Sequence, residues 1–194
     1  MSVRDEETGL RARLVDVGVE LVAREGVQAL TLREIARRAG VSHGAPRRHF
    51  PTHRELLSAI ARRGFAELGE RVATVPGGDA DPRRRIDELA RVYLEFASGN
   101  PGMYELMFRH DLLESGHLGL RDTSLPLFGV LVDLVGRVRP GADARAVAGA
   151  LWANLHGLAQ LWRWGSLQLA TGSEEFGPLL DTVLTAHLGA GDAR

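Results

Sequence analysis

The sequence predicts an all-α protein of about nine helices. Apolar residues recur with a helical period almost throughout, no stretch alternates as a strand does, and Gly- or Pro-bearing breakers punctuate the chain. Leu10, Leu14, Val17 and Leu21 share one face of a first helix that Gly26 stops. Thr31 and Glu34 form a capping box opening a second, short helix through Leu32, Ile35, Ala36 and Ala39, closed by Gly40. Ser42 is the expected N-cap of a third helix ending before Pro51. Thr52 and Glu55 open a fourth, longer helix through Leu57, Ile60, Phe65, Leu68 and Val72. Residues 75–81 read as a loop and a weak internal boundary. Asp81-Pro82 then caps a helix through Ile86, Leu89, Tyr93 and Phe96, broken at 99–102. Further helices are expected near 103–109, 124–138, 143–165 and 173–188.

A chain of 194 residues, 44% hydrophobic and 25% charged, is long enough to bury a core without staples. It has no cysteine, which excludes disulfides and thiolate zinc sites. No run approaches the ~18 apolar residues of a membrane span, and the charged N-terminus lacks a secretory core. The expectation is a cytoplasmic protein with no membrane partner.

The net charge of −1 hides an asymmetry. Residues 1–63 carry 12 Arg against 8 acidic residues, and residues 64–194 carry 12 Arg against 17. Within 26–63 there are 8 Arg against only Glu34 and Glu55. A basic end on an acidic body points to contact with a polyanion.

Thr31 to Leu57 carries most of the functional signal. Two short helices joined by Ala39-Gly40-Val41-Ser42 have the layout of a helix-turn-helix. The first turns Leu32, Ile35 and Ala36 inward and leaves Arg33, Arg37 and Arg38 outside. The second presents His43, Gly44, Ala45, Arg47 and Arg48 near its N-terminus, the end of a recognition helix that enters the major groove.

This stretch resembles the TetR-family signature: Ile35, Ala36, Ala39, Gly40, Val41, Ser42, Gly44, His49, Phe50 and Leu56 fall on it in register, within a similarity spanning roughly residues 8–60. Three positions depart from it. Arg47 stands where the family usually has tyrosine, Pro46 where it has leucine, and His53 where it has lysine. Arg47 offers a charged phosphate contact or a bidentate guanine contact in place of a hydroxyl. Leu151–Leu161, with Trp152, His156 and Gly157, is similar to a TetR subgroup with a tryptophan and His-Gly in one C-terminal helix.

The resemblance implies a helix-turn-helix three-helix module at 1–55 and a helical ligand-binding and dimerisation bundle at 56–194. It implies contacts to double-stranded operator DNA from Thr31, Arg33, Ser42, His43, Gly44, Ala45, Arg47, Arg48, His49 and His53. It implies a homodimeric regulator, most simply a repressor, that leaves a near-palindromic operator when a small-molecule effector binds. In that mechanism the fourth helix holds the two reading heads of the liganded dimer at the wrong separation.

Elsewhere the residues leave alternatives open. Tyr93, Phe96, Met103, Tyr104, Met107 and Phe108 concentrate 6 of the 14 aromatic and methionine residues into 16 positions, which suits either core or an adaptable apolar pocket; the resemblance favours a pocket that Trp152 and His156 also line. His156 reads by default as a core histidine satisfied by a neighbour, and alternatively as a ligand hydrogen bond in that pocket. Ala146, Ala150, Ala153 and Gly157, with the apolar face of Phe176, Leu179, Leu180, Val183, Leu184 and Leu188, fit internal packing, or the dimer interface that the resemblance implies. Arg83, Arg84 and Arg85 point around more than half of a helix and read as a solvated start. His43, His49 and His53 lack a carboxylate or cysteine to complete a metal site. With no phosphate loop, G-x-S-x-G or H-E-x-x-H, neither catalysis nor a cofactor is expected. The rival reading is an interaction module that has lost operator recognition, motivated by Pro46 and Arg47.

Overall fold

The computed structural model describes residues 3–77, 81–113 and 119–190. Among these the chain is all-helical. The helices are α1 (Val3–Glu25), α2 (Leu32–Arg38), α3 (Ala45–His49), α4 (His53–Thr74), α5 (Pro82–Gly99), α6 (Pro101–Phe108), α7 (Leu120–Val138), α8 (Ala144–Arg163), α9 (Ser166–Thr171) and α10 (Gly177–Leu188). A single 3-10 turn, Val27–Ala29, links α1 to α2. No described helix is long and apolar enough to cross a membrane.

The chain forms two compact units, Met1–Leu68 with Asn100–Ser124, and Gly69–Gly99 with Leu125–Arg194. α4 runs unbroken through residues 55 and 56, where the sequence reading divides the chain.

In the first unit α1 is the spine. Leu14, Leu21 and Val22 are fully buried, with Ile35 of α2, Leu56 and Ile60 of α4, and Leu106 and Met107 of α6. Burial of each such side chain contributes about 1.5–3 kcal/mol. Glycine sets how closely these helices approach. A Cβ at Gly18 would stand 2.3 Å from Ile60 Cδ1, and one at Gly102 would stand 2.2 Å from the Val22 carbonyl oxygen.

In the second unit α8 packs against α5 and α10. Leu151 and Leu155 of α8, Ile86 and Ala90 of α5, and Leu180, Leu184 and Leu188 of α10 are its buried apolar residues. Asp143 caps α8, accepting from the amides of Arg145 (3.1 Å) and Ala146 (3.0 Å).

Several boundaries differ from expectation. α7 starts at Leu120 rather than near 124 and carries Pro126 inside it. Gly119, at φ +65°, supplies the left-handed residue before it. The helix expected over 143–165 stops at Arg163, because Gly165 turns left-handed (φ +73°) and starts the separate α9, which Gly172 (φ +68°) ends. α10 begins at Gly177, with Pro178 in its first turn, rather than at 173.

Candidate functional site

The helix-turn-helix is assembled by backbone geometry and apolar anchors. Thr31 caps α2, its Oγ1 accepting from the Glu34 amide at 3.2 Å. Gly40 adopts φ +64°, and the Val41 amide donates to the Ala36 carbonyl at 3.0 Å, closing the turn. Ser42 does not cap α3 as expected. The cap position is Gly44, without a side-chain bond, and the Ser42 carbonyl instead accepts from the Ala45 amide at 3.0 Å. Pro46 fits the first turn of α3, where amides lack intrahelical partners, and is buried. Phe50 is wholly buried at the end of α3, with the Arg11 guanidinium 4.7 Å above its ring. Pro46 and Phe50 hold the inner side of this short helix, leaving Arg47 and Arg48 exposed.

The arginines divide sharply. The Glu34 carboxylate accepts from Arg37 Nε (2.9 Å) and Nη2 (2.6 Å) and from Arg38 Nε (2.7 Å), and Arg38 also pairs with Glu25. Hydrogen bonds from Arg37, then Arg38, lower the Glu34 pKa from 4.5 to about 2, so the clamp is charged at neutral pH. Arg33, Arg47 and Arg48 form no ion pair among the described residues and are exposed. His43 and Gly44 are exposed, while Ala45 and His49 are half-buried. His53 is tied inward: its Nε2 lies 2.6 Å from the Leu30 carbonyl, an arrangement that requires the ring nitrogen to donate. Sequence reading missed the Glu34 clamp, although its spacing to residues 37 and 38 is that of helical ion pairs, and it missed the Arg11–Phe50 contact, which no local pattern signals.

The expected effector residues separate into two clusters. In the second unit the Tyr93 hydroxyl accepts from Trp152 Nε1 (3.3 Å) and lies 3.1 Å from His156 Nδ1. An indole N–H can only donate, so the tyrosine oxygen accepts from Trp152, while the Tyr93–His156 bond runs in either direction with the imidazole tautomer. Burial lowers the His156 pKa, consistent with a neutral ring. Phe128 stands 6.1 Å from the Trp152 ring, and Trp152 keeps 39% of its surface exposed. Phe96 is fully buried, with Arg71 5.3 Å over its ring. In the first unit Met103, Tyr104 and Met107 are buried, and Phe108 makes edge contacts with Tyr104 (5.0 Å) and Phe65 (5.7 Å). No cluster of three or more His, Asp or Glu suited to a metal exists among the described residues.

Comparison with known proteins identifies both halves. Residues 14–60 match the family described as bacterial regulatory proteins, tetR family. Residues 86–185 match the tetracyclin repressor-like C-terminal domain. The nucleoid occlusion factor SlmA of Aliivibrio fischeri is 30% identical over 93 residues, covering 48% of this chain and 47% of that protein. The alignment thus spans about half the length of that curated relative. A protein from Rhodococcus sp. RHA1 is 29% identical with a TM-score of 0.72, over 91% of this chain and 90% of that one. The multidrug binding protein EbrR, complexed with imidazole, is 26% identical with a TM-score of 0.64, over 94% of this chain and 92% of its own. From the turn geometry and from both matched regions, the chain belongs to the TetR family of DNA-binding transcription regulators.

Proposed function

We propose that this regulator is a homodimeric repressor that binds a near-palindromic operator and is released by a small apolar effector. The carrying observation is the pair of exposed, unclamped guanidinium groups on α3, Arg47 and Arg48, on a helix anchored by Pro46 and Phe50. The clamp on Arg37 and Arg38 leaves the reading to Arg33, Arg47 and Arg48, with His43 and Gly44 open at the start of the same helix. Ser42, Ala45, His49 and Thr31 flank them and supply backbone and hydroxyl contacts to phosphates. The exposed cations also weigh against an interaction module that has lost DNA.

For the effector, the Tyr93–Trp152–His156 group supports a site in the second unit. It combines aromatic surface with a neutral imidazole able to donate or accept. EbrR, a multidrug binding protein complexed with imidazole, is consistent with a small-molecule effector. Effector and operator then oppose each other through one coupling free energy, the same whichever is added first.

The test is selection of bound sequences from random double-stranded DNA, followed by titration of the selected operator with and without Arg47→Ala. A two-fold-related consensus that the variant no longer prefers supports the reading. Binding without sequence preference, or a variant equal to wild type, overturns it.

A further inference from the structure

A groove of about 310 Å³ lies wholly within the first unit. It is walled by the 3-10 turn and the start of α2 (Val27–Thr31), the first turn of α4 (His53, Arg54, Leu57) and the segment after α6 (Arg109–Leu112). That volume is at the lower end of the range for small-molecule sites, about 300–1,000 Å³.

Its floor is apolar: Val27, Leu30 and Leu57 are buried, and Leu112 is half-buried. Most polar groups on its walls are already committed. Thr31 Oγ1 accepts from the Glu34 amide, and His53 Nε2 is held at the Leu30 carbonyl. Arg109 donates to both oxygens of Asp111 at 2.8 Å, which lowers the Asp111 pKa, and it also lies 3.8 Å from a Glu105 oxygen. Arg54 and Gln28 have no hydrogen bond or ion pair at contact distance among the described residues; Arg54 touches Asp111 only through its field. Among the described residues the groove therefore offers one guanidinium without a contact partner and one amide likewise, beside apolar side chains.

We propose that this groove binds a compact carboxylic acid with an apolar body. The carboxylate would sit on the Arg54 guanidinium with a second hydrogen bond from the Gln28 amide, and the body on Val27, Leu30, Leu57 and Leu112. A neutral molecule or a cation makes no charge-assisted bond with Arg54. A bare inorganic anion gains nothing from the floor. The ligand bridges the segment leading into the helix-turn-helix to the start of α4, and the site is separate from the Tyr93–Trp152–His156 group.

The experiment follows backbone amide NMR shifts of the full chain during titration with benzoate, benzamide and inorganic phosphate. Saturable benzoate shifts confined to 27–31, 53–57 and 109–112 are expected, with benzamide at least about tenfold weaker, as loss of a charge-assisted hydrogen bond implies. Arg54→Gln should weaken benzoate by a similar factor and Arg54→Lys restore part of it, both melting at the wild-type temperature because residue 54 is exposed. Phosphate binding as well as benzoate overturns the proposal in favour of a plain anion site. Benzoate shifts confined to residues around Tyr93 and His156, or an unaffected Arg54→Gln, also overturn it.

Discussion

Glu34 sets which cations are available for contact. Its carboxylate holds Arg37 and Arg38 while three other arginines of the reading segment stay unclamped. Its folded pKa of about 2 is below the ordinary 4.5, so its stabilising contribution is full above pH 4.5 and is lost as pH falls through about 2. Carboxyl-resolved NMR titration should show this group still ionised well below pH 4.5. Glu34→Gln keeps the Thr31 cap and releases Arg37 while Glu25 still holds Arg38, so nonspecific DNA binding should tighten, with a salt slope steeper by up to about 0.9 for the new phosphate contact. On α3, Arg47→Ala and Arg48→Ala should separate by type. Loss of a base contact costs about 1–3 kcal/mol and relaxes specificity at one position, whereas loss of a phosphate contact weakens all sequences alike. Quantitative binding to the selected operator and its single-base variants distinguishes them. Partial burial holds the pKa of the half-buried His156 below its ordinary 6.5, so its contribution to stability declines as pH drops below 6.5. Tyr93→Phe removes the hydroxyl beside Nδ1 but leaves the ring's burial in place, so the imidazole should still titrate below 6.5, which proton NMR of the ring checks.

At the scale of elements, helix spacing is governed by glycine as much as by leucine. Gly102 brings α6 so close to α1 that a methyl group would lie 2.2 Å from the Val22 carbonyl oxygen, and backbone cannot swing aside as a side chain can. Gly102→Ala should therefore lower stability by about 1–3 kcal/mol or more. At Gly99, where a Cβ meets nothing within 4 Å, the same change should be neutral or slightly stabilising. Paired denaturant melts check the contrast. The same leverage explains why the expected helix boundaries near 124, 165 and 173 moved. Glycines 119, 165 and 172 take left-handed conformations that start or stop helices independently of apolar period.

For the whole molecule, the proposed dimer requires a surface that meets a second copy. Ala146, Ala150 and Ala153 of α8 are exposed in the protomer and Gly157 is half-buried, so the small-residue stripe is not consumed by internal packing there. Trp164, 66% exposed, lies at the end of the same helix. Leu184 of α10, in contrast, is buried within the protomer, so its replacement would test folding rather than assembly. Ala153→Arg should give a folded monomer with poor operator affinity, because one reading head supplies half the contacts. Sedimentation of an intact dimer would place the interface elsewhere.

The helix-turn-helix was legible because its information is local. A cap at Thr31, a left-handed Gly40 and the period of Ile35, Ala36 and Ala39 lie within a few residues, and they determine helices and turn whatever surrounds them. The small-residue stripe of α8 was legible for the same reason. Tertiary structure decided which charges are free and which aromatics meet. Glu25 reaches Arg38, Arg11 reaches Phe50, and Tyr93 reaches Trp152 and His156 from about sixty residues away. One run of aromatic and methionine residues from 93 to 108 accordingly became two clusters in two compact units. Period along a chain records which face is apolar, whereas the partner of that face depends on how distant helices pack, and that is absent from any local window.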